Sequence, residues 1–135
     1  MAVVINHIVV HCYNKEESAA FIADVLGLPE PRPFHCFQVV CLDNGATLDF
    51  LDSPDNEIVW EHFAFLVDEG DFDAIFARIQ TRKMQFWSDP FCKLPGVINT
   101  DDGGRSIYFK DPNGHLLEIL TVPYGGERLA AKYIA

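Results

Sequence analysis

"GATLDFL" (residues 45–51) and "GHLLEIL" (residues 114–120) read as one phrase written twice. Each runs Gly, two spacers, Leu, a carboxylate, a bulky apolar residue and Leu. Each is short, apolar and rich in strand-forming side chains, with one acid in its middle, Asp49 or Glu118. Alternate residues of a strand share a face. Asp49 therefore goes with Thr47 and Leu51, and Glu118 with Leu116 and Leu120. An acid at the same place in two hydrophobic strands calls for one common reason.

Working outward, the rest of the chain repeats as well. "VVINHIVVHC" (residues 3–12) is β-branched and apolar and predicts a strand. "NKEESAAFIADVLGL" predicts a helix, with Asn14 as cap, Glu16 and Glu17 in the first turn and Gly27 as terminator. "PEPRPF" is a turn or loop that could hold a further short strand around residues 29–35. "HCFQVVCL" and "ATLDFLD" are strands joined by the hairpin signal "DNG". The second half restates this order. "WEHFAFLVD" is a strand. "GDFDAIFARIQTRKM" is a helix capped by Asp71, with Phe72, Ile75, Phe76 and Ile79 on one face. "QFWSD" is a short strand, and residues 89–104 form a long loop, either a binding loop or a surface insertion. "RSIYFK" and "GHLLEIL" are strands joined by "DPNG", in which Pro112 presets φ and Asn113-Gly114 takes the left-handed positions. The reading is a duplicated β-α-β-β-β unit in one domain, with module one about 1–56, module two about 57–122 and a tail at 123–135. The fold class is α+β, with two tandem modules of curled mixed sheet.

Composition sets limits on function. The 135 residues carry a formal charge of −10, which disfavours nucleic acid and anionic membranes as partners. No apolar run approaches the ~20 residues that span a bilayer. "MAVVINHIVV" lacks a charged start and a cleavage site, so no signal peptide is expected. The four cysteines, at 12, 36, 41 and 92, make no C-x-x-C pair and are expected to be buried free thiols in a reducing cytoplasm. No phosphate loop and no nucleophile elbow is present.

Each module opens with a strand carrying His (His7, His62) and closes with one carrying an acid (Asp49, Glu118). The residues on both faces of these strands are largely apolar. Helices can cover one face, so the four polar residues are expected to point into a concavity on the other. A lone His in an apolar strand is more often a hydrogen-bonded core residue than a ligand, and a lone acid near a strand end is often solvated. Four such residues at equivalent places argue differently. Two carboxylates in one cavity repel unless a cation lies between them. Two imidazoles and two carboxylates around one divalent ion resolve that conflict, and the mixed set suits Zn, Ni, Co, Mn or Fe(II). Among the other candidates, Tyr108 either donates to a metal-bound oxygen or packs. His11, on the parity of His7, is a rim acid or base or a surface residue. His35 and His115 flank turns and are expected to be solvated.

"NHIVVHCYNKEESAAFIADVLGL", "EHFAFLVD" and "YFKDPNGHLLEIL" resemble the vicinal oxygen chelate superfamily. That group includes glyoxalase I, type I extradiol dioxygenases, fosfomycin-resistance proteins and bleomycin-binding proteins. The resemblance covers residues 3–122 and is most specific at "DPNGHLLE". It implies two βαβββ modules around a metal, with His7, His62 and Glu118 as ligands and Asp49 matching the fourth ligand of the glyoxalase I branch. Several departures bear on the branch. Glyoxalase I usually has Glu where this chain has Asp49. No Arg stands near "HCYNKEES" or "LDSPDNE" to grip glutathione. The fosfomycin branch has a cleft tyrosine that Tyr108 resembles, but only Arg105 and Arg128 stand near enough to offer a phosphonate grip.

The function expected from residues and resemblance is a small cytoplasmic metalloenzyme acting on a small substrate chelated through vicinal oxygens. Its chemistry would be of the glyoxalase I lyase or isomerase kind, with the metal as Lewis acid and Glu118 and Tyr108 as catalytic groups. The alternatives are an Fe(II) extradiol-type dioxygenase and a metal-free small-molecule binding or resistance protein. A homodimer is expected, with ligands drawn from both chains.

Overall fold

The computed structural model describes residues 3–101 and 103–124. The chain divides into two compact units, Met1–Trp60 with Asp111–Asn113, and Glu61–Lys110 with Gly114–Ala135. The apolar tail residues Leu129, Tyr133 and Ile134, and Arg128, lie outside the described residues. No helix among the described residues is long and apolar enough to cross a membrane.

In the first unit the order is β1 (His7–Cys12), α1 (Lys15–Leu26), β2 (Arg32–Phe34), β3 (Phe37–Cys41) and β4 (Thr47–Asp52). The strands form a mixed sheet in the order β1-β4-β3-β2, in which β1 and β4 are parallel and the other pairs antiparallel. Helix α1 starts where the Asn14 side chain accepts the Glu17 N–H at 2.9 Å and stops where Gly27 turns left-handed at φ 70°. It buries Ala19, Ile22, Ala23 and Val25, while the sheet buries Val10, Cys12, Val40, Leu48 and Phe50. These side chains alternate with the polar set along the strands, as a period of two requires. The expected first strand began at residue 3, but β1 begins at His7. The ladder to β4 ends with the Thr47 N–H donating to the Asn6 carbonyl, and Val3, Val4 and Ile5 are exposed. The segment Asp111–Asn113 belongs to this unit. Buried Asn113 accepts the Tyr13 N–H at 2.8 Å and donates to the Ser18 hydroxyl at 2.9 Å. It was expected to act only as a turn former.

The second unit contains β5 (His62–Leu66), α2 (Glu69–Thr81), β6 (Ser106–Lys110) and β7 (Leu116–Leu120). The sheet order is β5-β7-β6, with β5 parallel and β6 antiparallel to β7. The core-facing buried side chains are Phe72, Ile75 and Ile79 of α2 and Ile107, Phe109, Leu117 and Ile119 of the sheet, and Leu116 and Leu120 are buried on the other face of β7. Phe76, expected on the buried face, is only half-buried, in edge contact with Phe86. The helix cap is Asp68 and not Asp71. The Asp68 carboxylate accepts the Asp71 N–H at 2.7 Å, which puts Asp71 in the first turn. The expected strand at "QFWSD" is reduced to Trp87, whose backbone bridges Tyr108 on the free edge of β6. It occupies the place that β2 fills beside β3 in the first unit.

Two further expectations are corrected. His115 is buried, not solvated. It has the parity of Leu117 and Ile119, so it faces the core, where its Nδ1 accepts the Glu61 N–H at 2.9 Å. All four thiols are free, but Cys12 alone is fully buried, while Cys36 and Cys41 are exposed. Cys41 lies on the open face of β3 and Cys36 in the turn before it.

Candidate metal centre

The expected site residues fall on two strand faces. In the second unit, register places Ala64 opposite Glu118 and Tyr108 opposite Glu118, with His62 opposite Leu116. His62, Glu118 and Tyr108 therefore share one face. The His62 ring lies 5.9 Å from the Tyr108 ring, nearly parallel to it. A carbonyl can only accept, so the 3.0 Å contact of His62 Nδ1 with the Leu116 carbonyl puts the proton on Nδ1. The Nε2 lone pair is then left facing Glu118 Oε1, 3.2 Å away. An imidazole lone pair and a carboxylate repel unless a proton or a cation comes between them. Glu118 is buried, and that burial raises its pKa, while His62 and a hydrogen bond from the Tyr108 hydroxyl work to lower it. The Tyr108 phenol is itself pushed up to about 12, first by burial and then by the Glu118 charge. It is a permanent donor to that carboxylate near neutral pH.

In the first unit, His7 pairs with Thr47 and Val9 with Asp49 across β1 and β4. His7 and Asp49 are thus diagonal neighbours on the face away from α1. The Asp49 carboxylate is buried and accepts the Thr47 hydroxyl at 2.7 Å. His7 is exposed, with Nδ1 2.7 Å from the Asn6 side-chain oxygen. His11 and His35 are both exposed. Among the described residues, no three His, Cys, Asp or Glu side chains gather as a ready ligand cluster. His62 and Glu118 form a close ligand pair. Its donor chemistry, one imidazole nitrogen and one carboxylate oxygen with lone pairs converging, fits a divalent ion.

A family model described as "Glyoxalase/Bleomycin resistance protein/Dioxygenase superfamily" matches residues 4–119. The chain belongs to this superfamily.

Members similar to this chain differ in their chemistry. The solved structure of oxidase ChaP-H1 is 50% identical, with a TM-score of 0.89 over 93% of this chain and 100% of that one. "Glutathione transferase FosA" of Serratia marcescens is 28% identical over 94% of this chain and 86% of its own length. "Metallothiol transferase FosB" of Lysinibacillus sphaericus is 30% identical over 87% of this chain and 81% of its own length.

Within this superfamily member, a cleft of about 240 Å³ opens beside Tyr108 and Glu118, with Asn99, Ser106 and Tyr124 among its walls. The loop on its flank is an ordered structure. Desolvation opposes ionisation of Asp89, but N–H groups of Leu94, Lys93 and Phe91 donate to its carboxylate and hold its pKa below the usual range. Asn99 and Ser106 exchange both backbone hydrogen bonds at 2.9 Å, and the Asn99 side chain donates to the Ser88 carbonyl. Gly104 lies against Thr121 and Val122, where an added Cβ would collide with Val122 Cγ2. The sequence pattern marked this segment only as long and rich in turn residues. Asp89 followed by "PFCKLPG" was the available sign of a side-chain-capped loop.

Proposed function

We propose that this chain is a divalent-metal-dependent enzyme acting on a small substrate bound through vicinal oxygens, with chemistry of the oxidase type. The observation that carries the metal reading is the converging pair of His62 Nε2 and Glu118 Oε1, whose lone pairs need a cation or a proton between them. The superfamily resemblance offers His7 as a further ligand that would make a His-His-Glu set, which suits Fe(II) in an oxidase. A divalent ion held by these residues would supply Lewis acidity toward vicinal oxygens and, if redox-active, oxidase chemistry. The Leu116 carbonyl orients the His62 ring and sets its tautomer. Tyr108 holds Glu118 through its hydroxyl and keeps its own proton. Val122 and Leu120 keep one side of the cleft apolar.

The oxidase branch is supported by half-identity to ChaP-H1 across nearly the whole chain. The lyase or isomerase reading rests on Asp49 as a fourth ligand, and its buried carboxylate keeps that reading open as the second choice. Transfer to fosfomycin is less well supported, because Arg105 is occupied by Glu69 and Asp73. A homodimer with a site shared between chains is part of the proposal. β1 and β5 are edge strands of their sheets, and each carries a His beside exposed apolar residues, Val9 on β1 and Leu66 on β5. Metal analysis of protein purified without added metal, followed by oxygen uptake with catechols and turnover of 2-oxoaldehyde thiol adducts, tests the reading. Dioxygen consumption that requires Fe(II) is expected. Turnover of the thiol adducts alone, with no oxygen uptake, would make the lyase reading the correct one.

A further inference from the structure

The cleft beside Glu118 has an unusual balance of charge. Arg105 is the one cation among its described lining residues. Its guanidinium is already engaged. Nε donates to Glu69 Oε2 at 2.8 Å, Nη1 lies 2.8 Å from Asp73 Oδ1, and Nη2 serves both the Glu69 carboxylate and the Glu69 carbonyl. The guanidinium also sits over the Phe72 ring at 4.2 Å. Two carboxylates against one guanidinium leave that corner with negative charge in excess, and most of its five N–H donors are spent. Among the described lining residues, the remaining charged groups are the carboxylates of Asp101 and Glu118. Asn99 and Ser106 are neutral donors and acceptors, and Leu120 and Val122 are apolar. The formal charge of the chain, −10, adds a background field of the same sign.

We infer that this cleft admits ligands that are uncharged beyond their chelating oxygens and turns away those that carry a further anionic group, with Asp101 and the Glu69–Arg105–Asp73 clamp as the specificity determinants. A divalent ion held by His62 and Glu118 would meet the same pair of vicinal oxygens in either ligand. The rest of the ligand meets the cleft wall, where a second negative charge finds carboxylates and, among the described residues, no free cation. Uncharged hydroxyl or carbonyl groups find Asn99 and Ser106, and an apolar edge finds Leu120 and Val122. The inference deepens the functional reading above and rests on it for the chelating end alone.

A matched pair of ligands tests it. Catechol and 3,4-dihydroxybenzoate have the same vicinal oxygens and differ by one carboxylate. Both are titrated against the full chain loaded with zinc, which is redox-silent, with binding followed by calorimetry. Catechol is expected to bind about tenfold more tightly. The gap should narrow as salt is raised from 0.05 to 0.5 M, because screening shortens the reach of exposed charges. Asp101→Asn should also narrow it, and Glu69→Gln with Asp73→Asn, which frees the guanidinium, should narrow it further. Asp101 sits on an exposed loop, so its variant keeps the test valid if the double variant fails to fold. Equal or tighter binding of 3,4-dihydroxybenzoate overturns the inference, as does a gap that neither salt nor Asp101→Asn moves, or a failure of catechol to bind at millimolar concentration. If the chain takes up no metal, the functional reading fails instead, and the same pair titrated on metal-free protein still decides the charge preference.

Discussion

At the scale of single residues, the candidate centre depends on the direction of a few lone pairs. The Leu116 carbonyl makes His62 present Nε2 to Glu118, and the Tyr108 hydroxyl holds the carboxylate in place. His62→Ala and Glu118→Ala should each lower divalent-metal affinity at least about tenfold, since even groups that merely orient ligands are worth about 10–100-fold. Asp49→Ala discriminates the branches. In a His-His-Glu site it leaves affinity within about threefold of wild type, whereas a loss matching that of Glu118→Ala by calorimetry would establish Asp49 as a ligand. Cys12 gives a separate handle on stability. Burial raises its thiol from 9.0 to about 11. The protonated thiol is the form that the folded chain accommodates. Its contribution is therefore fully present below pH 9 and is lost as pH rises through about 11, by at most about 2–3 kcal/mol at 1.36 kcal/mol per pKa unit. Urea unfolding of wild type and Cys12→Ala at pH 8 and pH 10.5 should show wild type losing more. Parallel losses in the two proteins would mean that the thiol is not the cause.

At the scale of elements, both sheets place one set of apolar residues in the core and the candidate ligands on the opposite face, because strand parity separates them. The flank of β6 is held by the loop instead of a full strand. Asp89 gathers the N–H groups of residues 91, 93 and 94, Trp87 bridges Tyr108, and Asn99 bridges Ser106. Gly104 is the close-approach point of this assembly, with Thr121 Oγ1 2.6 Å from where a Cβ would stand. Gly104→Ala should lower stability by about 1–3 kcal/mol, the usual result of overpacking. It should also weaken catechol binding, because Val122, which lines the cleft, must move. A midpoint in urea equal to wild type, with unchanged binding, would show that the wall yields without cost. Most strands and both helices were legible from periodicity, but the α2 cap is Asp68 where Asp71 was expected, and the strand expected at "QFWSD" is only a bridge at Trp87. The loop's order was not legible, because it comes from the Asp89 carboxylate and the isolated bridges Trp87–Pro95, Trp87–Tyr108 and Asn99–Ser106, which leave no periodic trace.

At the scale of the whole molecule, the proposed assembly is a homodimer that completes each site with ligands from two chains. His7→Ala and His62→Ala chains should each bind metal poorly alone. Mixed after unfolding and refolding together, they should regain about one intact site per heterodimer if the two histidines of a site come from different chains. A monomer by sedimentation at micromolar concentration, with full metal occupancy, would place the ligands in one chain. The −10 charge favours solubility at these concentrations and has no bearing on the fold.

What the sequence alone determined was local and repetitive. The duplicated phrase, the alternation of faces and the caps at Asn14 and Gly27 follow from backbone geometry over a few residues, so they can be read without knowing where distant segments lie. His115 was misread as solvated because it follows a turn, although its parity is that of the buried Leu117. The tertiary structure decided what depends on partners far along the chain. Arg105 looked like a free cation until Glu69 and Asp73 were seen to neutralise it, and Asn113 looked like a turn residue until Tyr13, 100 positions away, donated to it. The tautomer of His62 was set by a carbonyl 54 positions distant. Periodicity records which face a side chain takes. It does not record which group from elsewhere meets it there, and in this protein those meetings decide the charge and protonation of the cleft.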